Sequence, residues 1–164
     1  MKSFINPTRR EPDPAKTIHL LNRLVQTNDD RIKGYQTASS ETLEVELHAA
    51  FAHFAHSSQQ CKQELANEII RLGGTVTEKT KLSGKIFRAW MDIKATLTGR
   101  DIGPVLDSCE TLEEIAFGTY QRVMKYKTDV LSTKQQAMVM VHFAHLKAAH
   151  ERLIYMRNVL VLAD

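Results

Sequence analysis

The amino-acid sequence predicts an all-α protein, a four-helix bundle that forms one domain. Apolar residues recur at helical spacing in four long segments, and the chain holds only seven glycines and four prolines. Three of those prolines lie within the first fourteen residues, so little in the remainder interrupts a helix. A chain of 164 residues is long enough to bury a core and short enough to be one domain.

The first helix is predicted to begin at Asp13-Pro14, because Asp caps helix N termini and Pro suits the first helical position. The polar residues 1–13 are predicted to be a flexible arm, and residues 14–164 the bundle domain. We expect this helix to end near Ser39-Ser40. The residues that recur at helical spacing on one face of this helix, which we call its stripe, are Ile18, Leu21, Leu24, Val25, Asn28, Ile32 and Tyr35.

The second helix is predicted to follow at once, with Ser40 as its cap and Gly73-Gly74 as its C-terminal stop. Its stripe consists of Leu43, Leu47, Ala50, Phe54, Cys61, Leu65 and Leu72. The next ten residues, 75–84, are polar and irregular. A shorter helix is then predicted from Ile86 to Leu97.

Two further long helices complete the pattern. The third begins near Asp101–Pro104, and its stripe consists of Val105, Cys109, Leu112, Ala116, Tyr120 and Val123. Ser132 and Gln135 form a capping-box pattern at the start of the last helix. Its stripe consists of Val139, Phe143, Leu146, Ala149, Leu153 and Met156.

The lengths of the connections predict the topology. Short connections after the first and third helices require each following helix to run antiparallel, whereas about 30 residues separate the second helix from the third. Two antiparallel hairpins joined by one long crossover, here with an additional shorter helix, is the ferritin-like connectivity. A weak repeat agrees, since His53-Phe54-Ala55-His56 recurs as His142-Phe143-Ala144-His145, each in the second helix of its hairpin.

Several short motifs resemble those of a bacterial family of ferritin-like four-helix-bundle proteins that is classed as a domain of unknown function. The motifs are Leu21-Asn22, Asn28–Tyr35, Arg71–Gly74, Arg88–Lys94, Leu97–Gly99, Cys109-Glu110 with Glu113, and Lys147–His150. The resemblance covers residues 17–157 and implies the ferritin-like fold. The activity of that family is not established, so the resemblance implies no reaction.

Composition excludes several classes of function. The net charge of +3 comes from 22 basic residues spread among 19 acidic ones, without the basic run of a nucleic-acid groove. The sequence has no apolar run of 18 residues, so no membrane span is predicted. Residues 1–14 lack the apolar region of a signal peptide. Cys61 and Cys109 are widely separated, which favours two reduced, buried thiols in a cytoplasmic protein.

Ferritin-like di-iron proteins place four carboxylates and two histidines inside the bundle, with Glu-x-x-His on two of the helices. Here the second and fourth helices carry His-x-x-His, and helical projection puts His53 and His56 outside and Asp30 toward solvent. The polar residues predicted to face inward are Asn28, Tyr35, Glu113, His142 and His150, with Arg31 and His145 at the edge. One carboxylate is too few for a di-iron centre.

Two interpretations of the inward polar residues stay open. One is a mononuclear iron or zinc site that uses Glu113, His142 and His145 as metal ligands. The other is a metal-free network in which Arg31 or a histidine pairs with the buried Glu113 carboxylate.

Two functions follow. The first is a non-enzymatic bundle that acts through self-association, as a homodimer, or through protein partners, because apolar residues remain outside the predicted stripes. Those residues are Trp90, Met91, Phe117, Val141, Ile154, Tyr155, Val159 and Val161. The alternative is a ferritin-like protein that binds iron or zinc at an altered site between its helices. No phosphate loop or nucleophile elbow predicts an enzyme.

Overall fold

The computed structural model of the protein describes residues 12–78 and 102–161, together with Arg88 and Met91. All the regular secondary-structure elements among these residues are helices, as the sequence predicts. They are α1 (Pro14–Glu41), α2 (Val45–Arg71), α3 (Ile102–Tyr126), a short 3-10 helix (Thr128–Val130) and α4 (Thr133–Val161).

Two sequence predictions fall largely outside the described residues. The arm at residues 1–13 is described only from residue 12 onward, so the division into an arm and a bundle domain stays a prediction. The shorter helix predicted between Ile86 and Leu97 is described only at Arg88 and Met91, and both of these residues are helical.

The predicted start of α1 is confirmed. Pro14 is its first residue, and the Asp13 carboxylate accepts a hydrogen bond from the Ala15 backbone N–H at 3.1 Å. This bond satisfies one of the N–H groups that have no partner within the helix.

The predicted cap of α2 is wrong. α1 continues to Glu41, so Ser40 lies inside it and its hydroxyl donates to the Thr37 carbonyl oxygen at 2.9 Å. α2 begins at Val45, and Leu43, expected on its stripe, lies in the connection with 99% of its surface exposed. The apolar spacing continued through the turn, so periodicity alone placed the boundary too early.

Gly73-Gly74 ends α2 as predicted. Gly73 has a φ of 81°, a left-handed conformation that glycine adopts without strain. The backbone N–H groups of Gly73 and Gly74 donate to the carbonyl oxygens of Ile70 and Ile69, both at 2.9 Å. A Cβ atom on Gly74 would lie 2.8 Å from Ile18 Cδ1, so this turn packs directly against the start of α1.

The capping box of α4 is also confirmed. The Ser132 backbone N–H donates to Gln135 Oε1 at 2.8 Å, and the Gln135 backbone N–H donates to Ser132 Oγ at 3.1 Å. Gln135 additionally donates to Glu68 Oε1 at 2.9 Å, which ties the start of α4 to the end of α2.

Consecutive helices pack as pairs, α1 against α2 and α3 against α4, and α1 also contacts α3. Near the end of α1, Ser39 Oγ donates to the His48 carbonyl oxygen at 3.2 Å. Near its start, the Asn22 side chain donates to the Thr75 carbonyl oxygen at 3.0 Å. Both ends of α1 are therefore fastened to the α2 segment.

The core consists of two apolar clusters. The first gathers residues near the turn between α1 and α2, including Tyr35, Leu47, Phe51, Phe54, Leu106 and Leu153. The second gathers residues near the opposite ends of those helices, including Leu21, Leu24, Leu65, Ile69, Tyr120 and Leu146. Arg31, Ser58 and Glu113 lie along the helices where one cluster gives way to the other.

Among the described residues, no helix combines the length and the hydropathy that are needed to span a membrane.

Candidate functional site

A buried ion pair joins α1 to α3 between the two apolar clusters. The Arg31 guanidinium donates to Glu113 Oε1 from Nε at 3.2 Å and from Nη2 at 2.6 Å. Tyr35 donates its hydroxyl to the same oxygen at 2.5 Å, and Arg31 Nη1 donates to Ser58 Oγ on α2. We call these four residues, Arg31, Tyr35, Ser58 and Glu113, the core network; all four are buried.

Charge and burial oppose each other in this network. Burial on its own would lower the pKa of Arg31, but the Glu113 carboxylate raises it above the ordinary value. Burial, together with the Glu113 charge, raises the pKa of Tyr35 well above its ordinary value. Arg31 is therefore a permanent cation and Tyr35 a neutral hydrogen-bond donor. The sequence predicted either Arg31 or a histidine as the partner of Glu113, and the structure pairs Glu113 with Arg31.

A second polar contact set lies beside the core network. The Asn28 amide donates to the Tyr120 hydroxyl at 2.7 Å, and the Tyr120 ring meets the His142 ring edge-on at 6.3 Å. His142 Nε2 donates to Glu64 Oε2 at 2.7 Å. Burial lowers the pKa of His142, while the Glu64 carboxylate acts in the opposite direction.

The three predicted metal ligands have different surroundings. Glu113 contacts Arg31 and Tyr35 in the core network. His142 is buried beside Glu64, whereas His145 is exposed on α4. Glu113 and His142 therefore each contact a partner outside the predicted trio. Metal binding by Glu113, His142 and His145 stays a prediction.

Asp30 is buried, which corrects the prediction that it faces solvent. Projection from a single stripe failed because α1 is covered on more than one side; it contacts α2, α3 and the 3-10 helix. Gln26 donates to Asp30 Oδ1 at 2.9 Å. Burial nevertheless raises the pKa of Asp30 to about 6. His53 and His56 are exposed, as predicted.

A second group of ionisable side chains lies between α3 and α4. Glu110, Glu114 and His150 each offer a potential ligand atom, and these atoms lie within 4.8 Å of one another. We call these three residues the α3–α4 triad. In the part of the chain that the structure describes, no other three side chains of these types bring their ligand atoms this close together. Glu110 and His150 are half-buried, and Glu114 is exposed.

Arg157 flanks the triad. Its Nη1 donates to Glu110 Oε2 at 2.5 Å, and its Nη2 pairs with Asp107. The other oxygen, Glu110 Oε1, lies 3.8 Å from His150 Nε2. That nitrogen is buried and has no hydrogen-bond partner among the described residues.

Sequence reasoning placed His150 inward but did not connect it to Glu110 and Glu114. Two signals point to the connection. Glu110 and Glu114 are four residues apart on α3 and therefore share a face. Glu110 and His150 also lie at similar depth, each about 16–17 residues from the turn that joins their helices. Glu64, the partner of His142, had no such signal.

The chain was compared with known proteins. A family model described as Domain of unknown function (DUF2383) matches residues 16–126. None of the curated proteins compared with the chain matches it. The matched span contains all four residues of the core network, and it ends before α4, which carries His142 and His150.

Proposed function

Since the chain belongs to the family of domains of unknown function DUF2383, we propose that it is a non-enzymatic, ferritin-like helical bundle that acts by binding a second copy of itself. The exposed apolar face of α4 is the observation that carries this proposal.

The ferritin-like part of the proposal is supported by how the helices are joined. α1 and α2 are separated by three residues and fastened to each other at both ends, which favours an antiparallel hairpin. α3 and α4 pack together across the short segment that holds the 3-10 helix, which favours a second hairpin. The long segment between α2 and α3 then serves as the crossover.

The proposed contact surface runs along α4. We call it the α4 stripe; its members are exposed and follow one another three, four or seven residues apart. They are Ala137, Val141, Ala144, Ala148, Tyr155 and Val159. Tyr155 is 67% and Val141 54% exposed. The opposite side of α4 packs into the core through Val139, Leu146 and Leu153, so α4 is apolar on two faces.

The order of residues in the α4 stripe favours a second copy as the partner. A two-fold dimer contact is self-complementary, so residue i meets residue j and residue j meets residue i. With Ala148 at the centre of an antiparallel α4–α4 pair, Val141 meets the partner's Tyr155 and Ala137 meets the partner's Val159. The small side chain of Ala148 allows the two helices to approach closely where they cross.

Charge agrees with the same pairing. His145 and Glu151 are exposed and lie three residues before and after Ala148. In the two-fold pair, His145 faces the partner's Glu151, so each end of the contact can gain one polar pair without like charges meeting.

The chemistry of the interior supports a non-enzymatic role. Glu113 and Arg31 neutralise each other. Burial raises the pKa of the Cys61 thiol to about 11 and also raises that of Cys109, so both thiols are protonated and poor nucleophiles at neutral pH. The cytoplasmic location predicted from the sequence belongs to the same proposal.

Sedimentation velocity over a range of protein concentrations tests the dimer. The wild-type chain should form a dimer, and Ala148→Glu should raise its dissociation constant at least tenfold, about 1.4 kcal/mol or more. The reason is that two like charges would face each other on the two-fold axis.

Ala52→Glu is the matched control, because Ala52 is an exposed helical alanine on α2. It should leave the dimer unchanged. A wild-type chain that stays monomeric at high concentration would reject the proposal. So would a dimer that both variants weaken equally or that neither variant weakens.

A further inference from the structure

The α3–α4 triad has the composition of a site for a transition-metal ion. Two carboxylates and one imidazole supply oxygen and nitrogen ligands, and the two negative charges neutralise a divalent cation. An imidazole ligand favours zinc or another first-row transition metal over calcium and magnesium, which prefer oxygen ligands throughout. We propose that Glu110, Glu114 and His150 bind one such ion between α3 and α4.

The distances between the ligand atoms of the triad are only slightly longer than those around a zinc ion. Ligand atoms about 2.0–2.2 Å from a tetrahedral zinc ion lie about 3.4 Å apart. The atoms of the triad already lie within 4.8 Å of one another, and the Glu110–His150 pair is at 3.8 Å. Glu114 is exposed, so rotation of its side chain can close the remaining gap without moving a helix.

The unpartnered nitrogen of His150 also supports the assignment. A buried polar atom normally has a hydrogen-bond partner, because burying it without one is unfavourable. His150 Nε2 has none among the described residues, and Glu110 Oε1 lies 3.8 Å from it, beyond hydrogen-bond distance. A metal ion accepted between these atoms would satisfy it.

Neighbouring side chains hold the triad in position. Arg157 binds Glu110 Oε2 and leaves Oε1 on the His150 side. The Phe117 ring meets the His150 ring edge-on at 6.3 Å and packs against Phe143 at 4.6 Å. Groups of this kind around a metal site orient the ligands and limit the access of water.

The triad and the α4 stripe are separate surfaces. At 100° per residue, His150 is turned by about 200° from Ala148, so the two residues lie on opposite sides of α4. Metal binding therefore does not depend on dimer formation, and each proposal can fail without the other.

Isothermal titration of the full chain with Zn²⁺, after treatment with a chelator, tests the site. We expect one Zn²⁺ per chain, and we expect His150→Ala and Glu114→Gln to weaken binding at least tenfold each. Glu114→Gln changes an exposed residue, so it tests the site even where His150→Ala disturbs the fold. Circular dichroism checks that each variant remains helical.

His53→Ala and Glu46→Gln are matched controls, because both residues are exposed on α2, away from the triad and from the α4 stripe. They should bind Zn²⁺ as the wild-type chain does. Absence of stoichiometric binding, unchanged affinity in both triad variants, or loss of binding in His53→Ala would each overturn the proposal. Replacing Zn²⁺ with Co²⁺ adds a spectroscopic check, since a strong thiolate band would assign the ion to cysteine instead.

Discussion

The Arg31–Glu113 pair has energetic consequences for the whole core. Removing both charges from water costs several kcal/mol per ion, and their attraction in the low-dielectric interior offsets that cost only when the geometry is good. Here the pair has two hydrogen bonds between its members, and Tyr35 and Ser58 contribute two more. Each charge is therefore tolerated only while its partner is present.

Glu113→Gln should lower the free energy of unfolding by about 3–5 kcal/mol, because it leaves the Arg31 charge buried without a counter-charge. Urea unfolding followed by circular dichroism measures this change.

Two control variants separate the buried pair from charge in general. Replacing both members at once, as Arg31→Met with Glu113→Leu, should recover most of the loss, because no charge is then left buried. Lys62→Met removes the more exposed pair with Asp29 and should cost about 0–1 kcal/mol. A Glu113→Gln cost as small as that of Lys62→Met would contradict the predicted role of the core network.

Asp30 should make stability depend on pH. Burial raises its pKa to about 6 in the folded chain, above the value of about 3.9 for an unfolded Asp. The folded state therefore holds the proton more tightly, and stability falls as pH rises from about 4 to about 6. Asp30→Asn keeps a hydrogen-bond acceptor for Gln26 and should raise the free energy of unfolding at pH 7.5 by about 1–2 kcal/mol.

The same Asp30→Asn variant should gain little at pH 4, where the carboxyl of the folded wild-type chain is already protonated. Asp129→Asn is the control, since Asp129 is exposed, and it should change stability little at either pH. Urea unfolding at the two pH values provides the comparison. An equal gain at both would show that the charge is not the cause.

At the scale of single helices, α1 and α4 differ in how many of their sides are buried. α1 is covered on several sides and hides polar residues such as Thr27 and Asp30 along with its apolar stripe. α4 is apolar on two sides but buries only one of them. A helical projection finds the most apolar face of each helix, but it cannot show how many neighbours the helix has.

Core leucines of different helices should matter far more than an equally apolar leucine in the connection. Leu65 on α2 and Leu146 on α4 are almost completely buried. Leu65→Ala and Leu146→Ala should each lower the free energy of unfolding by about 2–5 kcal/mol, because lost burial and a residual cavity add. Chemical denaturation of the purified variants measures the cost.

Leu43 provides the matched control for these leucines, since 99% of its surface is exposed. Leu43→Ala should change stability by less than about 0.5 kcal/mol. A loss at Leu43 that equals the loss at Leu65 would show that the α1–α2 connection is packed against something in solution.

For the molecule as a whole, local signals in the sequence predicted most of the helix boundaries, which depend on residues close together in the chain. Asp13-Pro14, the Ser132–Gln135 capping box and Gly73-Gly74 each act within a few residues, and all three are confirmed. The apolar spacing likewise found the four long helices. The inward positions of Arg31 and Glu113 left Arg31 or a histidine as the partner of Glu113, and the structure shows that the partner is Arg31.

Contacts between helices were harder to predict from the sequence. The His142–Glu64 bond and the meeting of Glu110 with His150 depend on how far one helix is rotated relative to the next. One residue changes the direction of a side chain by 100°, so an error of a few tens of degrees decides which of two neighbours meets a partner. No single-helix pattern contains that angle.

The two buried cysteines can report when the helices of the bundle separate. Cys61 belongs to α2 and Cys109 to α3, one in each pair of packed helices. Because both thiols are enclosed and protonated, a thiol reagent reaches them only when the surrounding helices separate. Cys109 lies in the apolar cluster that joins α3 to α1 and α2, so its rate of modification reports when the two helix pairs separate, and the native sequence already contains a label for loss of the bundle.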